Sequence, residues 1–149
     1  MKSFTLLLTL GILLCSVPVY EYNGAEMELV SLINSEREAS GVPPLDICWE
    51  ISRLASYKSE EMKQYRLFNH ESIVYGNPAQ ALDFFSIPNT EVGANIAMGQ
   101  ETPQSVVTAW ANSPEHLANL LNPAFTRAGV GLSWDEYGIP FWTLLMIDS

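Results

Sequence analysis

The stretch that decides the fold class is residues 128–147, AGVGLSWDEYGIPFWTLLMI. Its two halves are rich in Val, Ile, Leu and Trp, and the turn-forming residues 135–138 separate them. This pattern predicts an antiparallel hairpin of strands 128–134 and 139–147, with Pro140 near a strand start or an edge. A shorter strand at 95–98 could join this hairpin.

Helical patterns precede the hairpin. Apolar residues recur at helical spacing from Leu29 to Ile33, Arg37 is expected on the polar face of that helix, and Gly41 is a natural stop. A second helix is predicted over 49–65, with Glu61 on its exposed side.

Three further helices are predicted from pairs of a capping residue and a proline. Asparagine, threonine and serine side chains cap helix starts, and proline fits the first helical position. The pairs are Asn77-Pro78, Thr102-Pro103 and Ser113-Pro114, and they predict helices at 78–85, 103–111 and 114–121. Helices before and between the strands of a small antiparallel sheet indicate an α+β layered domain.

Composition excludes several classes of function. The 149 residues carry a formal net charge of -10, and 48% of them are hydrophobic. Such an acidic surface repels phosphate backbones and anionic headgroups, so binding to nucleic acid or to membrane surfaces is not expected. The hydrophobic fraction is too high for a disordered acidic chain.

The N-terminus has the pattern of a secretory signal peptide. Lys2 precedes an apolar run from Phe4 to Leu14, and small residues follow it. We therefore expect a signal peptide at 1–20 and a single domain at 25–148, the alternative being an uncleaved N-terminal anchor. After cleavage Cys48 would be the one remaining thiol, and we interpret it as core filler. One thiol and no disulfide favour a bacterial export product.

The chemistry-bearing residues are few. The sequence has no Gly-x-Ser-x-Gly elbow, no phosphate-binding glycine loop and no Cys-x-x-Cys pair. What remains are two histidines, His70 and His116. Each alone is more often a structural residue, and only their meeting in space would indicate a site.

Five ordered sequence blocks resemble the bacterial branch of the CAP superfamily (cysteine-rich secretory proteins, antigen 5 and pathogenesis-related proteins), whose members contain the SCP domain. The resemblance covers residues 26–147. The blocks are LVSLINSER at 29–37 with GVPPL at 41–45, FNH at 68–70, VGANIA at 92–97, AWANSPEHLANLLNP at 109–123, and GVG at 129–131.

The resemblance implies a fold and a site. The family fold is a three-layer α-β-α sandwich with a central groove, in which many members place two histidines and acidic partners, and some bind zinc. His70 and His116 match the two histidines by position. Ala94 stands where the family usually has a glutamate, Ser113 replaces a second acidic position, and Glu115 replaces a common glycine.

These departures weaken any catalytic or metal site. Two imidazoles without a carboxylate fall short of the roughly three or four ligands that zinc sites use. Glu71, Glu91 or Glu115 could substitute, Glu71 being the best placed by sequence. Zinc on His70 and His116 is therefore only a possibility, and we expect no cofactor.

The predicted groove residues are His70, Glu71, Ala94, Asn95, Trp110, Ser113, Glu115 and His116. Trp134 and Trp142 are expected, like Trp110, to lie in the core or the groove wall.

The leading functional hypothesis is a secreted, monomeric CAP-domain protein that binds a small apolar ligand or a peptide in this groove, in the extracellular space or the cell envelope. The resemblance suggests it, since family members have been linked to sterol, lipid and peptide binding. One alternative is a metal-assisted hydrolase or peptidase using His70 and His116. Another is a structural cell-envelope or spore-associated protein.

Overall fold

The computed structural model describes residues 23–148. This part of the chain forms five helices and four strands, and the predicted signal peptide at 1–20 lies outside it. The elements are α1 (Gly24–Ala39), β1 (Asp46–Ile47), α2 (Trp49–Tyr65), α3 (Pro78–Phe84), β2 (Val92–Met98), α4 (Pro103–Ala111), α5 (Pro114–Leu120), β3 (Arg127–Trp134) and β4 (Pro140–Ile147).

The predicted hairpin is confirmed as β3 and β4, which pair antiparallel from Arg127↔Ile147 to Trp134↔Pro140. Its turn is held by Asp135, whose Oδ1 accepts the backbone N–H groups of Tyr137 and Ile139 at 2.9 and 2.8 Å. The short strand predicted at 95–98 is longer, because the whole of β2 pairs with β4.

The sheet differs from the prediction in one respect, because it is mixed and not purely antiparallel. Its strand order is β1-β3-β4-β2, and the two-residue strand β1 pairs parallel with the start of β3. Two residues are too few to produce an alternating pattern, so this edge strand carries no period-two signal.

The predicted α-β-α sandwich is confirmed by the burial of both faces of β4, all eight residues of which are buried. On one face Trp142, Leu144 and Met146 pack in a cluster with residues of α1, α4 and α5. On the other, Leu145 and Ile147 pack in a cluster with residues of α2 and α3. Successive strand residues point to opposite faces, so one strand forms the floor of both clusters.

Helix α2 lies directly against β3 at two glycines. A Cβ atom added at Gly129 would overlap the backbone nitrogen of Ser52, and one at Gly131 would overlap the carbonyl carbon of Ala55. Hydroxyl groups join the two backbones there. Ser52 Oγ accepts the Val130 N–H at 3.3 Å, and Ser59 Oγ donates to the Gly131 carbonyl at 3.0 Å. Only a residue without a side chain allows this approach.

Two side chains expected at the surface are buried instead. The exposed face predicted for Arg37 is wrong, because its guanidinium is fully buried and donates to the carbonyl oxygens of Pro43, Leu120 and Phe125 at 2.8 to 2.9 Å. The exposed position predicted for Glu61 is also wrong, since it forms a buried ion pair. Periodicity alone treats charged residues as exposed and misses those that find buried partners.

Some cap and aromatic predictions are confirmed and others are not. Asn77 and Thr102 cap their helices with both hydrogen bonds of a capping box, whereas Ser113 is the N-cap of α5 but makes no side-chain cap bond. Trp142 is fully buried, but Trp134 is 46% exposed and therefore does not lie in the core. No helix within residues 23–148 has both the length and the apolar character needed to cross a bilayer.

Replacing Gly131 by alanine should destabilise the domain by about 3 kcal/mol, because the new methyl group would overlap the α2 backbone and force α2 off the sheet. Urea unfolding followed by circular dichroism measures this change. Gly24→Ala is the matched control, since a Cβ there meets nothing within 4 Å. Equal stability of the two variants would contradict the close packing of α2 on β3.

Candidate functional site

The site predicted from the two histidines involves two segments, the connection after α2 and helix α5. We call residues 66–77 the His70 loop. It begins where Arg66 ends α2 in the left-handed conformation (φ 53°). The side chain of His70 is exposed, and that of His116 on α5 is partly buried.

A buried ion pair holds the His70 loop to α2. Lys58 Nζ lies 3.0 Å from Glu61 Oε2, and both side chains are less than 10% exposed. The ammonium also donates to the backbone carbonyl of Glu71 at 2.6 Å. The other carboxylate oxygen of Glu61 accepts the Ser72 hydroxyl and the Ile73 N–H, each at 2.9 Å.

The ionisation of Glu61 depends on these bonds. Burial acts to raise the pKa of Glu61, but the hydrogen bonds from Lys58 and Ser72, the Lys58 charge and the Ile73 N–H outweigh it and lower the pKa. Sequence reasoning missed this pair. The sequence feature that could have indicated the pair is that Lys58, on the apolar face of α2, lies three residues before Glu61.

Two asparagines connect strand β2 with α5. Asn95 lies on β2 and is buried, and Asn119 lies on α5 and is partly buried. Asn95, fully buried, donates from Nδ2 to the backbone carbonyl of His116 at 3.1 Å. Asn119 Nδ2 donates to Asn95 Oδ1 at 2.9 Å and reaches the Ala94 carbonyl at 3.4 Å. Both asparagines thus satisfy backbone carbonyl groups, and the bond from Asn119 to the Ala94 carbonyl covers part of the edge of β2.

The two histidines interact electrostatically. The pKa of His70 is lowered, first because the surrounding protein withdraws its ring from water, then because of the positive charge of His116, and last because of Lys58. Although the side chain remains exposed, protonated imidazoles on the His70 loop and on α5 therefore repel one another. A neutral His70 ring offers one donor and one acceptor.

The remaining predicted groove residues differ in their surroundings. Ala94 packs with its methyl group against the apolar cluster of α2, α3 and β4. Trp110 is 1% exposed and donates to the Ile96 carbonyl at 3.0 Å, so it belongs to the core and not to a groove wall. Glu71 and Glu115 are exposed, Glu115 as a charge in the first turn of α5, and Ser113 is partly buried.

The donor set does not fit a resident zinc ion. Within residues 23–148, no three His, Cys, Asp or Glu side chains are grouped so that they could hold a metal ion. A protein zinc site needs roughly three or four such ligands. His70 and His116 supply two, and Ala94 supplies none.

Removing the Glu61 carboxylate should destabilise the protein far more than removing its neighbour. Glu61→Gln leaves Lys58 charged and buried, which costs about 3 kcal/mol or more. Glu60→Gln removes an exposed carboxylate and should cost less than about 1 kcal/mol. Urea unfolding at neutral pH compares them, and similar losses would show that the buried pair does not hold the loop.

The lowered pKa of Glu61 determines how the stability of the protein changes with pH. Because the folded-state pKa of Glu61 is lowered, its contribution to stability is present above the unfolded value and is lost as the pH falls through the folded value. The difference in stability between wild type and Glu61→Gln should therefore shrink in acid. Urea unfolding repeated over a series of acidic buffers measures this difference, and a constant difference would contradict the lowered pKa.

The His70 imidazole should titrate below its ordinary value of about 6.5, and His116→Asn should raise that midpoint by removing the nearby charge. NMR titration of the imidazole protons measures the His70 midpoint in the wild type and in the His116→Asn variant. Because the folded pKa is the lower one, protonating His70 costs stability as the pH falls below about 6.5. A His70 midpoint unchanged by His116→Asn would show that the two rings do not share a surface, and Glu115→Gln is the control on the same helix turn.

Comparisons with known proteins agree with the fold. The family model described as "CAP: Cysteine-rich secretory protein family" matches residues 30–146. The chain is 45% identical over 106 residues to the uncharacterized protein YkwD of Bacillus subtilis (strain 168), a match that covers 71% of this chain and 41% of that protein.

Two solved structures are similar. One is an extracellular protein containing a SCP domain from Bacillus anthracis str. Ames, at 28% identity and a TM-score of 0.78, covering 85% of this chain and 41% of that one. The other is an outer surface protein from Borrelia burgdorferi, at 21% identity and a TM-score of 0.78, covering 86% and 96%. The chain thus spans less than half of these two Bacillus proteins. It belongs to the CAP family of cysteine-rich secretory proteins.

Proposed function

We propose that this CAP domain is exported and acts as a binding or interaction module whose ligand contacts the surface between the His70 loop and α5. The observation that carries this proposal is the electrostatic interaction of His116 with His70, because it joins two segments that are distant in the chain. The buried Lys58–Glu61 pair and the Asn95 bond fix these segments to the rest of the fold.

The chemistry of the surface favours a ligand with an apolar body and a polar group. The His70 loop exposes Phe68, Ile73 and Val74, which are 48 to 61% exposed. Neutral imidazole can donate to and accept from a hydroxyl, an amide or a carboxyl. A small apolar ligand or a peptide supplies both parts.

Export is supported by the basic start and the apolar run of residues 4–14, and by similarity to proteins described as extracellular or outer surface. A metal-assisted hydrolase is disfavoured by the donor set of residues 23–148, in which no third ligand is grouped with two others. We therefore propose a module that works without a resident metal.

Calorimetric titration of the protein with a sterol, a fatty acid and short apolar peptides should give saturable heat for one of these classes. The double variant His70→Ala, His116→Ala should weaken that binding about tenfold, or ~1.4 kcal/mol. Met27→Ala, at an exposed position of α1, should leave it unchanged.

Two outcomes would contradict the proposal. The first is the absence of heat with all three ligand classes. The second is one equivalent of metal in elemental analysis of the purified protein, lost in the double histidine variant, which would favour the hydrolase.

A further inference from the structure

A concave surface runs along α2, apart from the histidines. It is a cleft of about 700 Å³ between the outer side of α2, the connection after α3, and β3. We call it the aromatic cleft, and neither His70 nor His116 lines it. Its apolar lining consists of Trp49, Leu54, Tyr57, Phe85 and Ile87.

The rings of the cleft are accessible to a partner. Trp49, Tyr57 and Phe85 are 40%, 37% and 48% exposed. Partly exposed aromatic side chains grouped in one concavity are typical of recognition surfaces, because they offer large contact area at low entropic cost.

Arg53 lies within this lining, and its side chain has no polar partner among residues 23–148. The chain has seven Lys and Arg residues, of which Lys2 lies outside the described part. The guanidinium of Arg53 lies 5.6 Å from the Trp49 ring centre. The other five cationic side chains bind carbonyl oxygens, carboxylates or sulfur, and they are Arg37, Lys58, Lys63, Arg66 and Arg127.

The two carboxylates in the cleft do not neutralise Arg53. Glu50 accepts the Cys48 thiol at 2.8 Å and interacts with the positive charge of Arg127, which donates to the same thiol. Glu60 pairs with Lys63 at 2.6 Å and accepts the Ser133 hydroxyl at 3.0 Å. The cleft therefore presents one uncompensated cation between two carboxylates that already have partners. This pattern complements a single negative charge and disfavours a second one near either end.

The dimensions suit an extended peptide. From Trp49 to Glu60 the helix rises about 16 Å, which an extended chain spans with about five residues. The open side of the cleft leaves the polar backbone of such a chain in contact with water, as it requires. An acyl chain in the same place would keep one side exposed, which favours the peptide.

We infer that the aromatic cleft binds an extended segment of another protein in which one acidic residue is flanked by apolar residues. Its carboxylate pairs with the Arg53 guanidinium, and its apolar side chains contact Tyr57, Phe85 and Trp49. This inference does not rest on the function proposed for the histidine surface.

The experiment uses fluorescence polarisation with labelled peptide pools of the form Ser-x-Asp-x-x-Ser and Ser-x-x-Asp-x-Ser, in which x is an equal mixture of Leu, Phe and Trp. The expected result is saturable binding of at least one pool. A twin pool with Asn in place of Asp should bind about tenfold more weakly, because the charge pair with Arg53 is lost.

Variants of the protein test whether the Asp pool binds in the aromatic cleft. Arg53→Gln should weaken binding of the Asp pool about tenfold, whereas Arg66→Gln, which removes the same charge from an exposed arginine outside the cleft, should not. Arg53→Glu should prefer a pool with Lys in place of Asp. Tyr57→Ala should also weaken binding, and circular dichroism checks that each variant is folded.

The double variant His70→Ala, His116→Ala should bind the Asp pool as the wild type does, which separates this inference from the function proposed above. Failure of both pools to bind would overturn the inference. Equal binding of the Asp pool and its Asn twin would also overturn it. So would displacement of the peptide by palmitate, if palmitate bound the wild type and Arg53→Gln with the same affinity.

Discussion

The contact between α2 and the two glycines of β3 is the constraint on which the rest of the structure depends. Gly129 and Gly131 let the helix backbone approach the strand to a distance that excludes even a methyl group. Serine hydroxyls then join the backbones, and Ser59 Oγ, which donates to the Gly131 carbonyl, also accepts the Thr143 hydroxyl of the next strand at 2.8 Å. The position of α2 fixes the start of the His70 loop at one end of the helix and one wall of the aromatic cleft along its length.

Two cations are buried within residues 23–148, and each one connects two segments of the chain. Arg37 links the end of α1 to the carbonyl oxygens at the end of α5, where the negative end of the helix dipole also favours a positive charge. Lys58 links α2 to the His70 loop through Glu61 and the Glu71 carbonyl. Burying a charge is costly unless it is paired and hydrogen-bonded, so these two sites specify the loop conformations they satisfy.

The helices and the hairpin could be predicted because each has a local signal, and the layer order was implied by the family resemblance. The hairpin has two apolar runs around a turn sequence, and α3 and α4 have capping residues followed by proline. The strand Asp46–Ile47 had no such signal, since its pairing depends on Arg127 and Ala128, far along the chain. The burial of Arg37 and Glu61 likewise depends on distant carbonyl and amide groups. For the site, family resemblance could nominate the two histidines, but the place of Trp110 in the core follows only from the packing of α4 on β2.

The aromatic cleft and the histidine surface are connected through one residue, which raises the question of whether they act together. Tyr75, near the end of the His70 loop, contacts the rings of Tyr57 and Phe85 at centroid distances of 5.1 Å. Its backbone N–H also donates to Ser72 Oγ, which in turn donates to Glu61. A chain of contacts does not by itself produce coupling, because coupling requires a segment with two arrangements that both ligands bias.

The His70 loop does not meet that requirement. A buried ion pair holds it through the Glu71 carbonyl and the Ile73 N–H, so moving the loop would leave charged groups buried without partners. That cost favours a single arrangement of the loop. We therefore expect a ligand at the surface between the His70 loop and α5 and a peptide in the aromatic cleft to bind independently.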